Sequence, residues 1–145
     1  MIVPDVNLLV YAYNSEAPVH SAACVWWEGL LNGRETVAIP WAVSCGFVRI
    51  MTHPKVLETP MRPEAAINVV RSWFDVPVVS VASPGRRHLD LMRSLLTELG
   101  VGGNLVTDAH LAALAIELQA ELHSNDADFS RFSGLNWRNP LIGVG

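Results

Sequence analysis

The sequence predicts one α/β domain, spanning residues 1–145, in which helices cover both faces of a parallel sheet. Its 145 residues match the usual size of a single domain. Half of the residues are hydrophobic and only 17% are charged, which excludes a disordered chain and supplies a core. Short apolar runs alternate with segments of helical periodicity, and this order is typical of repeated strand–helix–strand units.

Four short runs rich in β-branched residues predict the strands. Their apolar residues follow one another without alternating with polar ones, so both faces of each strand should be buried. The runs are Ile2–Val6, Thr36–Pro40, Val76–Val81 and Ala120–Ser124. Ligand sites in such sheets gather at the carboxyl ends of the strands. The segment Leu135–Pro140 is expected to pack back on the sheet near the last of these ends.

The intervening segments predict helices. They cover Val19–Leu31, Trp41–Thr52, a segment opening at Pro63, a segment opening at Ser83 and Pro84, and Thr107 to about Gln119. In the fourth helix Ser83 would be the N-cap and Pro84 the first-turn residue, with Leu89 among the apolar residues turned inward. In the last helix Thr107 can act as the cap.

Charge and cysteine content exclude several classes of protein. Fourteen acids against ten bases give a formal charge of −4, which argues against a protein that coats nucleic acid or an anionic membrane. No run of 18 apolar residues occurs, and the N-terminus lacks the basic region and cleavage site of a signal peptide, so a cytoplasmic protein without membrane contact is expected. Cys24 and Cys45 lie in apolar helical segments and are expected to be reduced core thiols.

Four aspartates stand where a functional site is expected. Asp5 ends the first strand, Asp126 and Asp128 follow the last one, and Asp108 opens the final long helix. Singly they have ordinary interpretations, as helix caps or as part of a solvated turn. Chain topology would bring them to one edge of the sheet, where carboxylates repel one another unless a cation neutralises them. Oxygen ligands without a His or Cys cluster favour Mg²⁺ or Mn²⁺, and such sites most often act on phosphate esters.

Arginine dominates the basic residues, with nine arginines against one lysine. The planar guanidinium is the better phosphate ligand. Five arginines are candidates for this role: Arg49, Arg86, Arg87, Arg93 and Arg131. For Arg86 and Arg93, an ordinary helix face paired with Asp90 is the favoured interpretation.

Three ordered segments carry a family resemblance. They are residues 3–7 (VPDVN), residues 103–115 (GNLVTDAHLAALA) and residues 125–132 (NDADFSRF). On these segments the chain resembles, over nearly its whole length, the PIN-domain ribonucleases and in particular the VapC-type toxins of bacterial toxin–antitoxin pairs. The resemblance implies a PIN-like three-layer α/β/α sandwich around a mostly parallel sheet of four to five strands.

The same resemblance assigns roles to individual residues. It implies a Mg²⁺- or Mn²⁺-dependent endoribonuclease with the catalytic residues Asp5, Asp108, Asp126 and Asp128. Asp5, Asp108 and Asp126 would bind the metal. Supporting positions are Asn7, two residues after the first acid, together with Asn104, Thr107 and Ser124, which would hold the carboxylates in place.

One departure from the family pattern concerns the helix after the second strand. The family usually places a further acid there, most often Glu, whereas residues 41–52 (WAVSCGFVRIMT) contain no carboxylate. Ser44 or a water molecule would have to take its place. An alternative therefore stays open, in which the chain is an inactive PIN module that only binds RNA or an antitoxin.

The resemblance also implies partners. The expected substrate is a selected RNA, either tRNA or a ribosomal RNA loop. A VapB-type antitoxin would restrain the enzyme by filling its groove, and a homodimer would form through the middle helices. A phosphatase of the haloacid-dehalogenase type is disfavoured, because it requires a second aspartate where Asn7 stands and a catalytic lysine, whereas Lys55 lies in a loop. Dinucleotide binding is disfavoured because residues 100–103 (GVGG) lack the required glycine spacing.

Overall fold

The computed structural model describes residues 1–142 and shows a five-stranded, all-parallel sheet in the order β3-β2-β1-β4-β5. The strands are β1 Ile2–Pro4, β2 Val37–Pro40, β3 Val79–Ala82, β4 Glu121–His123 and β5 Trp137–Arg138. The helices are α1 Val6–Tyr13, α2 His20–Leu31, α3 Trp41–Met51, α4 Pro63–Phe74, α5 His88–Leu99 and α6 Val106–Glu117. These six helices flank the sheet, so the predicted PIN-like α/β/α class is confirmed. None of the helices in residues 1–142 is both long and apolar enough to cross a bilayer.

The core lies between the sheet and the two groups of helices. Helices α1, α2, α3 and α4 contact one another, and α5 packs with α6. The central strands are buried throughout, as their uninterrupted apolar runs predict. An aromatic cluster joins Trp27 of α2, Phe47 of α3 and Trp73 of α4 through edge-on contacts. Burial of such rings contributes most of the stabilisation of a small core.

The first strand ends two residues earlier than predicted. Pro4 is its last residue, and residues 6–13 form helix α1, which the sequence pattern does not predict. Asp5 has extended backbone geometry and caps this helix, its Oδ1 accepting a hydrogen bond from the amide of Val6 at 2.7 Å. Because residues 2–13 are apolar almost without interruption, periodicity alone does not separate a strand from a buried helix.

The third strand also differs from the prediction. It covers Val79–Ala82 instead of Val76–Val81, and Ser80 and Val81 are exposed. The expectation that both faces are buried is wrong here because β3 lies at the edge of the sheet, with β2 as its one neighbour.

Helix α5 begins at His88, four residues after the predicted first-turn proline. A contact from a distant segment accounts for the shift, since the amide of Gly85 donates to Oε1 of Glu117 on α6 at 2.7 Å. A Cβ atom at Gly85 would lie 2.9 Å from that carboxylate, so glycine permits the close approach. Leu89 is 74% exposed, and its predicted inward orientation is wrong, because the inward side of α5 follows His88 and Leu95 and leaves Leu89 on the outward side.

Helix α6 follows a 3₁₀ turn at Gly103–Leu105 and starts at Val106. Thr107 therefore lies inside the first turn, and no side chain caps this helix. The predicted cap is wrong because the preceding 3₁₀ turn already provides the helical backbone geometry.

The last described strand confirms the expected return of the chain to the sheet. Residues 137 and 138 pair with Leu122 and His123 of β4. The indole Nε1 of Trp137 donates to the carbonyl oxygen of Ser124 at 3.1 Å. This contact fixes the position at which β4 passes into the loop with the last aspartates.

The two cysteines are free thiols in different environments. Cys24 is half-buried and donates to the carbonyl oxygen of Ala12 at 3.2 Å. Cys45 is exposed, so its prediction as a core thiol is wrong. It lies on a side of α3 that the rest of the described chain does not cover.

Candidate active site

A cavity at the carboxyl edge of the sheet, here called the acid cavity, lies between the junction of β1 with α1, helix α3 and helix α6. Its lining residues are Asp5, Val6, Ala42, Val43, Thr107, Asp108, His110 and Leu111. The β4 loop, which carries the remaining two predicted acids, adjoins it through a chain of hydrogen bonds.

Asp5 is the most tightly held of the acids. Its amide donates to the carbonyl oxygen of His123 at 2.8 Å, which extends the pairing of β1 with β4 by one residue. Its Oδ2 accepts from the hydroxyl of Ser124 at 2.7 Å. Burial raises the pKa of the Asp5 carboxyl, the hydrogen bonds from Ser124 and Val6 oppose this, and the charge of Asp126 adds a smaller increase. Asp5 is therefore a positioned carboxyl group whose charged form is costly without a cation.

Ser124 connects Asp5 to the other two loop acids. It is fully buried, and its Oγ accepts from the amide of Asp126 at 3.0 Å while donating to Asp5. Asp126 in turn accepts at Oδ1 from the amide of Asp128 at 2.9 Å. We call Asp5, Ser124, Asp126 and Asp128 the strand wall of the site. Each of its acids takes part in hydrogen bonds that fix the local backbone.

Asp108 forms the opposite side, the helix wall, in the first turn of α6. Its pKa is raised to about 6 by burial first and then by the charges of Asp126, Asp5 and Asp128. Charges perturb a pKa in this way only at short range. The fold thus brings Asp5 and Asp108 to one cavity. Hydrogen bonds through Ser124 connect Asp5 to Asp126 and Asp128 in the adjoining loop.

The supporting residues divide into two groups. Ser124 holds Asp5, as the sequence reasoning supposed. Asn7 is exposed on α1, and Asn104 is exposed in the 3₁₀ turn before α6. Thr107 lines the acid cavity, but within residues 1–142 neither Asn104 nor Thr107 forms a hydrogen bond with a carboxylate.

Helix α3 presents no acid to the cavity. The residues that face it are Ala42 and Val43. Ser44, expected to replace the missing acid, is buried on another side of the helix, and its Oγ has no hydrogen-bond partner in the described chain. That side lines a surface that we call the α3–α4 groove. Its residues are Trp41, Ser44, Cys45, Val48, Arg49, Ile67, Val70, Arg71, Phe74 and Val81. Of the two expected substitutes, Ser44 does not face the acid cavity, because one residue corresponds to a rotation of about 100° around a helix, and a water molecule stays the open alternative.

The donor atoms of the site fit a hard divalent cation. The three candidate ligands, Asp5, Asp108 and Asp126, offer carboxylate oxygens, which Mg²⁺ and Mn²⁺ prefer. The raised pKa values of Asp5 and Asp108 report charge repulsion and desolvation that a bound cation would relieve. Across residues 1–142 no three potential ligands stand close enough to form a preassembled ion site.

Two histidines form a feature that sequence reasoning did not find. His110 lines the acid cavity, and its Nδ1 lies 2.7 Å from Nε2 of His88. His88 is 8% exposed, and its Nδ1 has no partner within the described residues. His88 is therefore a buried histidine with only one of its ring nitrogens hydrogen-bonded. By contrast, His123 is satisfied by Trp26 and Glu121. The sequence offered one indication of this feature, because His110 follows the predicted site residue Asp108 by two positions.

The arginine candidates also separate in the structure. Nη2 of Arg93 lies 3.9 Å from Oδ1 of Asp90, as predicted for a paired helix face. Arg86 and Arg87 are exposed, and within residues 1–142 neither has an acid at ion-pair distance. Pairing of Arg86 with Asp90 is thus absent, because Arg86 lies in the loop before α5.

The fold and the acid cavity define an α/β protein with a carboxylate cluster at the strand ends. The sequence matches the PIN domain model over residues 2–135, and the chain belongs to the PIN domain family. It is 43% identical over 141 residues to Ribonuclease VapC33 of Mycobacterium tuberculosis, covering 97% of this chain and 99% of that protein. Ribonuclease VapC37 of the same organism is 40% identical over 140 residues, with 97% of each chain covered.

Solved structures share the fold at lower identity. VapBC2 from Rickettsia felis, determined with a DNA fragment of its promoter, superposes with a TM-score of 0.68 at 22% identity, covering 96% of this chain and 98% of that one. VapC20 of Mycobacterium tuberculosis, described as a toxin that cleaves the sarcin–ricin loop, gives a TM-score of 0.63 at 17% identity, with coverages of 94% and 99%.

Proposed function

We propose that this chain is a divalent-metal-dependent endoribonuclease of the VapC toxin type. The observation that carries the proposal is that Asp5 and Asp108, from two distant segments, line one cavity. Ser124 connects Asp5 to the adjoining loop of Asp126 and Asp128. The curated relatives named as ribonucleases match almost the whole chain. Together these findings favour hydrolysis of an RNA phosphodiester over a purely structural role for the acids.

The proposed role of each residue follows from its position in the site. Asp5, Asp108 and Asp126 would hold Mg²⁺ or Mn²⁺, which when bound supplies Lewis acidity at the phosphate and its attacking water. Ser124 would keep Oδ2 of Asp5 in a fixed orientation. Asp128, exposed next to Asp126, would orient water at the open side of the cavity. The selected RNA would be a tRNA or a ribosomal RNA loop.

Two protein partners belong to the proposal. Several solved neighbours are toxin–antitoxin complexes, and a VapB-type antitoxin would restrain this chain by placing a segment over the acid cavity. A homodimer through the middle helices would cover apolar surface of the α3–α4 groove, where Trp41 is 58% exposed. Exposed apolar surface of this kind is typical of protein interfaces.

Cleavage of total RNA by purified, antitoxin-free protein tests the proposal. Reactions contain Mg²⁺, Mn²⁺ or EDTA, and Asp5→Asn and Asp108→Asn run beside the wild type. We expect discrete fragments that require metal, and a loss of rate of at least ~100-fold in either variant. Fragments that persist in EDTA or in both variants would contradict the assignment.

One observation favours a second candidate, the inactive PIN module. Helix α3 turns Ala42 and Val43 toward the cavity, so a carboxylate that the family usually provides is missing. If a folded wild type binds RNA or antitoxin but produces no fragments, and Asp108→Asn does not change the binding, this second candidate is correct.

A further inference from the structure

We infer that the loop of residues 83–87, which contains Arg86 and Arg87, binds the phosphate backbone of RNA beside the acid cavity. This inference rests on the proposed function, because it assigns the surface along which a substrate strand would reach the cavity. It concerns residues outside the acidic site, and it is carried by contacts that fix an otherwise irregular loop.

Two long-range contacts hold the loop against helix α6. In the middle of the loop, the amide of Gly85 donates to Oε1 of Glu117 at 2.7 Å. Directly after the loop, the ring of His88 meets the ring of His110 edge-on, with 4.7 Å between the centroids and 2.7 Å between the bonded nitrogens. The loop therefore runs along α6 and ends next to the first turns of that helix.

The second contact places the loop beside the acid cavity. His110 lines the cavity together with Asp108, and Arg87 directly precedes the histidine that binds His110. The buried Nδ1 of His88 has no hydrogen-bond partner in the described chain. A buried polar atom without a partner lowers the stability of the fold. The His88–His110 contact thus fixes the end of the loop that carries Arg86 and Arg87 against helix α6, which also carries Asp108.

The charge arrangement suits a polyanion. Arg86 and Arg87 are exposed, and no acid of residues 1–142 lies at ion-pair distance from either. Arg62 and Arg93, by contrast, have Glu64 and Asp90 within reach. Guanidinium groups without an acid at ion-pair distance attract phosphates, which the carboxylates of the site repel, so this loop can bind the phosphates that flank the reacting one.

The decisive measurement is the affinity for a fluorescently labelled single-stranded RNA of 20 nucleotides, in EDTA so that no metal-dependent cleavage occurs. The double variant Arg86→Ala/Arg87→Ala is compared with Arg34→Ala/Lys55→Ala, which removes the same charge. Arg34 and Lys55 are also exposed, and they lie in the loops before β2 and after α3, away from the residues that line the cavity. Thermal melts establish that both variants are folded.

We expect the loop variant to bind RNA ~10-fold more weakly at low salt, with the slope of log K against log salt reduced by about 1.4 for two lost phosphate contacts. The control variant should change the affinity less than ~2-fold. His88→Leu should weaken binding by an intermediate factor, and His88→Gln, which keeps a donor near the Nε2 position, should restore part of it. Equal losses in the two double variants, or no loss in either, would overturn the inference.

Cleavage assays on the same variants separate this inference from the proposed function. If the wild type cleaves RNA and the loop variant binds and cleaves equally well, the inference is wrong and the ribonuclease assignment stands. If the wild type binds RNA through the loop but never cleaves it, the loop assignment stands and the ribonuclease assignment fails. A wild type that binds no RNA refutes the loop assignment directly.

Discussion

The two walls of the acid cavity are built on different physical principles. In the strand wall, Asp5 and Asp126 accept hydrogen bonds from Ser124, Val6 or Asp128, so the backbone itself holds their oxygens. In the helix wall, Asp108 projects from the first turn of α6 and its pKa is raised to about 6 by burial and by the strand-wall charges. Hydrogen bonds position the strand-wall carboxylates, whereas no hydrogen bond within residues 1–142 positions the carboxylate of Asp108.

This difference predicts that the two walls respond differently to substitution. Changes in the strand wall should cost stability, because they remove hydrogen bonds that also define the fold. Changes in the helix wall should relieve repulsion in the metal-free protein and cost only the ability to bind a cation.

The largest effect on stability is expected from Ser124→Ala. The substitution leaves Oδ2 of Asp5 and the amide of Asp126 without a partner in a buried site, so the free energy of unfolding should fall by ~2–3 kcal/mol. Urea unfolding measures it. The matched control is Ser130→Ala, which removes an exposed hydroxyl bonded to the carbonyl of Ala127 and should change less than ~0.5 kcal/mol. Similar losses in both variants would refute the central role of Ser124.

Asp108→Asn should stabilise the metal-free protein. Because the folded-state pKa of Asp108 is raised from 3.8 to about 6, the wild type loses stability as pH rises through this interval. The shift corresponds to about 3 kcal/mol at most, and solvent screening of a half-exposed carboxyl reduces the expected gain to ~1 kcal/mol at pH 7.5.

Unfolding in EDTA at several pH values checks this expectation. The advantage of Asp108→Asn should vanish below pH 4, and it should reverse in Mg²⁺, which would stabilise the wild type alone. A variant that is less stable than the wild type in EDTA at pH 7.5 would show that Asp108 is held by interactions other than those described here.

A smaller effect is expected from restoring an acid on α3. Ala42 faces the acid cavity, so Ala42→Glu should add an oxygen ligand and strengthen Mn²⁺ binding ~5-fold. Cys45→Glu adds the same charge on the groove side of the helix and should leave Mn²⁺ binding unchanged. Calorimetric titration distinguishes the two. Tighter binding in both variants would indicate an effect of net charge only.

Asp128→Asn should have the smallest effect among the four acids. Its side chain is exposed, and its contact with Asp126 uses its backbone amide, which the substitution keeps. Cleavage should fall by less than ~10-fold, compared with at least ~100-fold for Asp5→Asn. A loss as large as that of Asp5→Asn would place Asp128 directly on the metal.

The sequence by itself determined the parallel α/β architecture and identified the aspartates that are candidates for the site. Uninterrupted apolar runs separated by helical periodicity predicted a parallel sheet, because strands covered on both faces have no polar side to present. The rule that strand ends meet at one edge then selected Asp5 and Asp126 without any knowledge of distances. Asp108 was selected because the sequence pattern starts the last long helix near the carboxyl edge of the sheet.

The tertiary structure decided how those acids are held and what surrounds them. Periodicity does not show that Ser124 bridges two acids, that Ser44 turns away from them, or that His88 reaches His110, because each depends on a rotation about a helix or a contact across the sheet. The same reason explains the misplaced start of α5, which is set by Glu117, a residue distant in sequence. Local sequence fixes which element a residue belongs to, and packing between distant elements fixes what that residue faces.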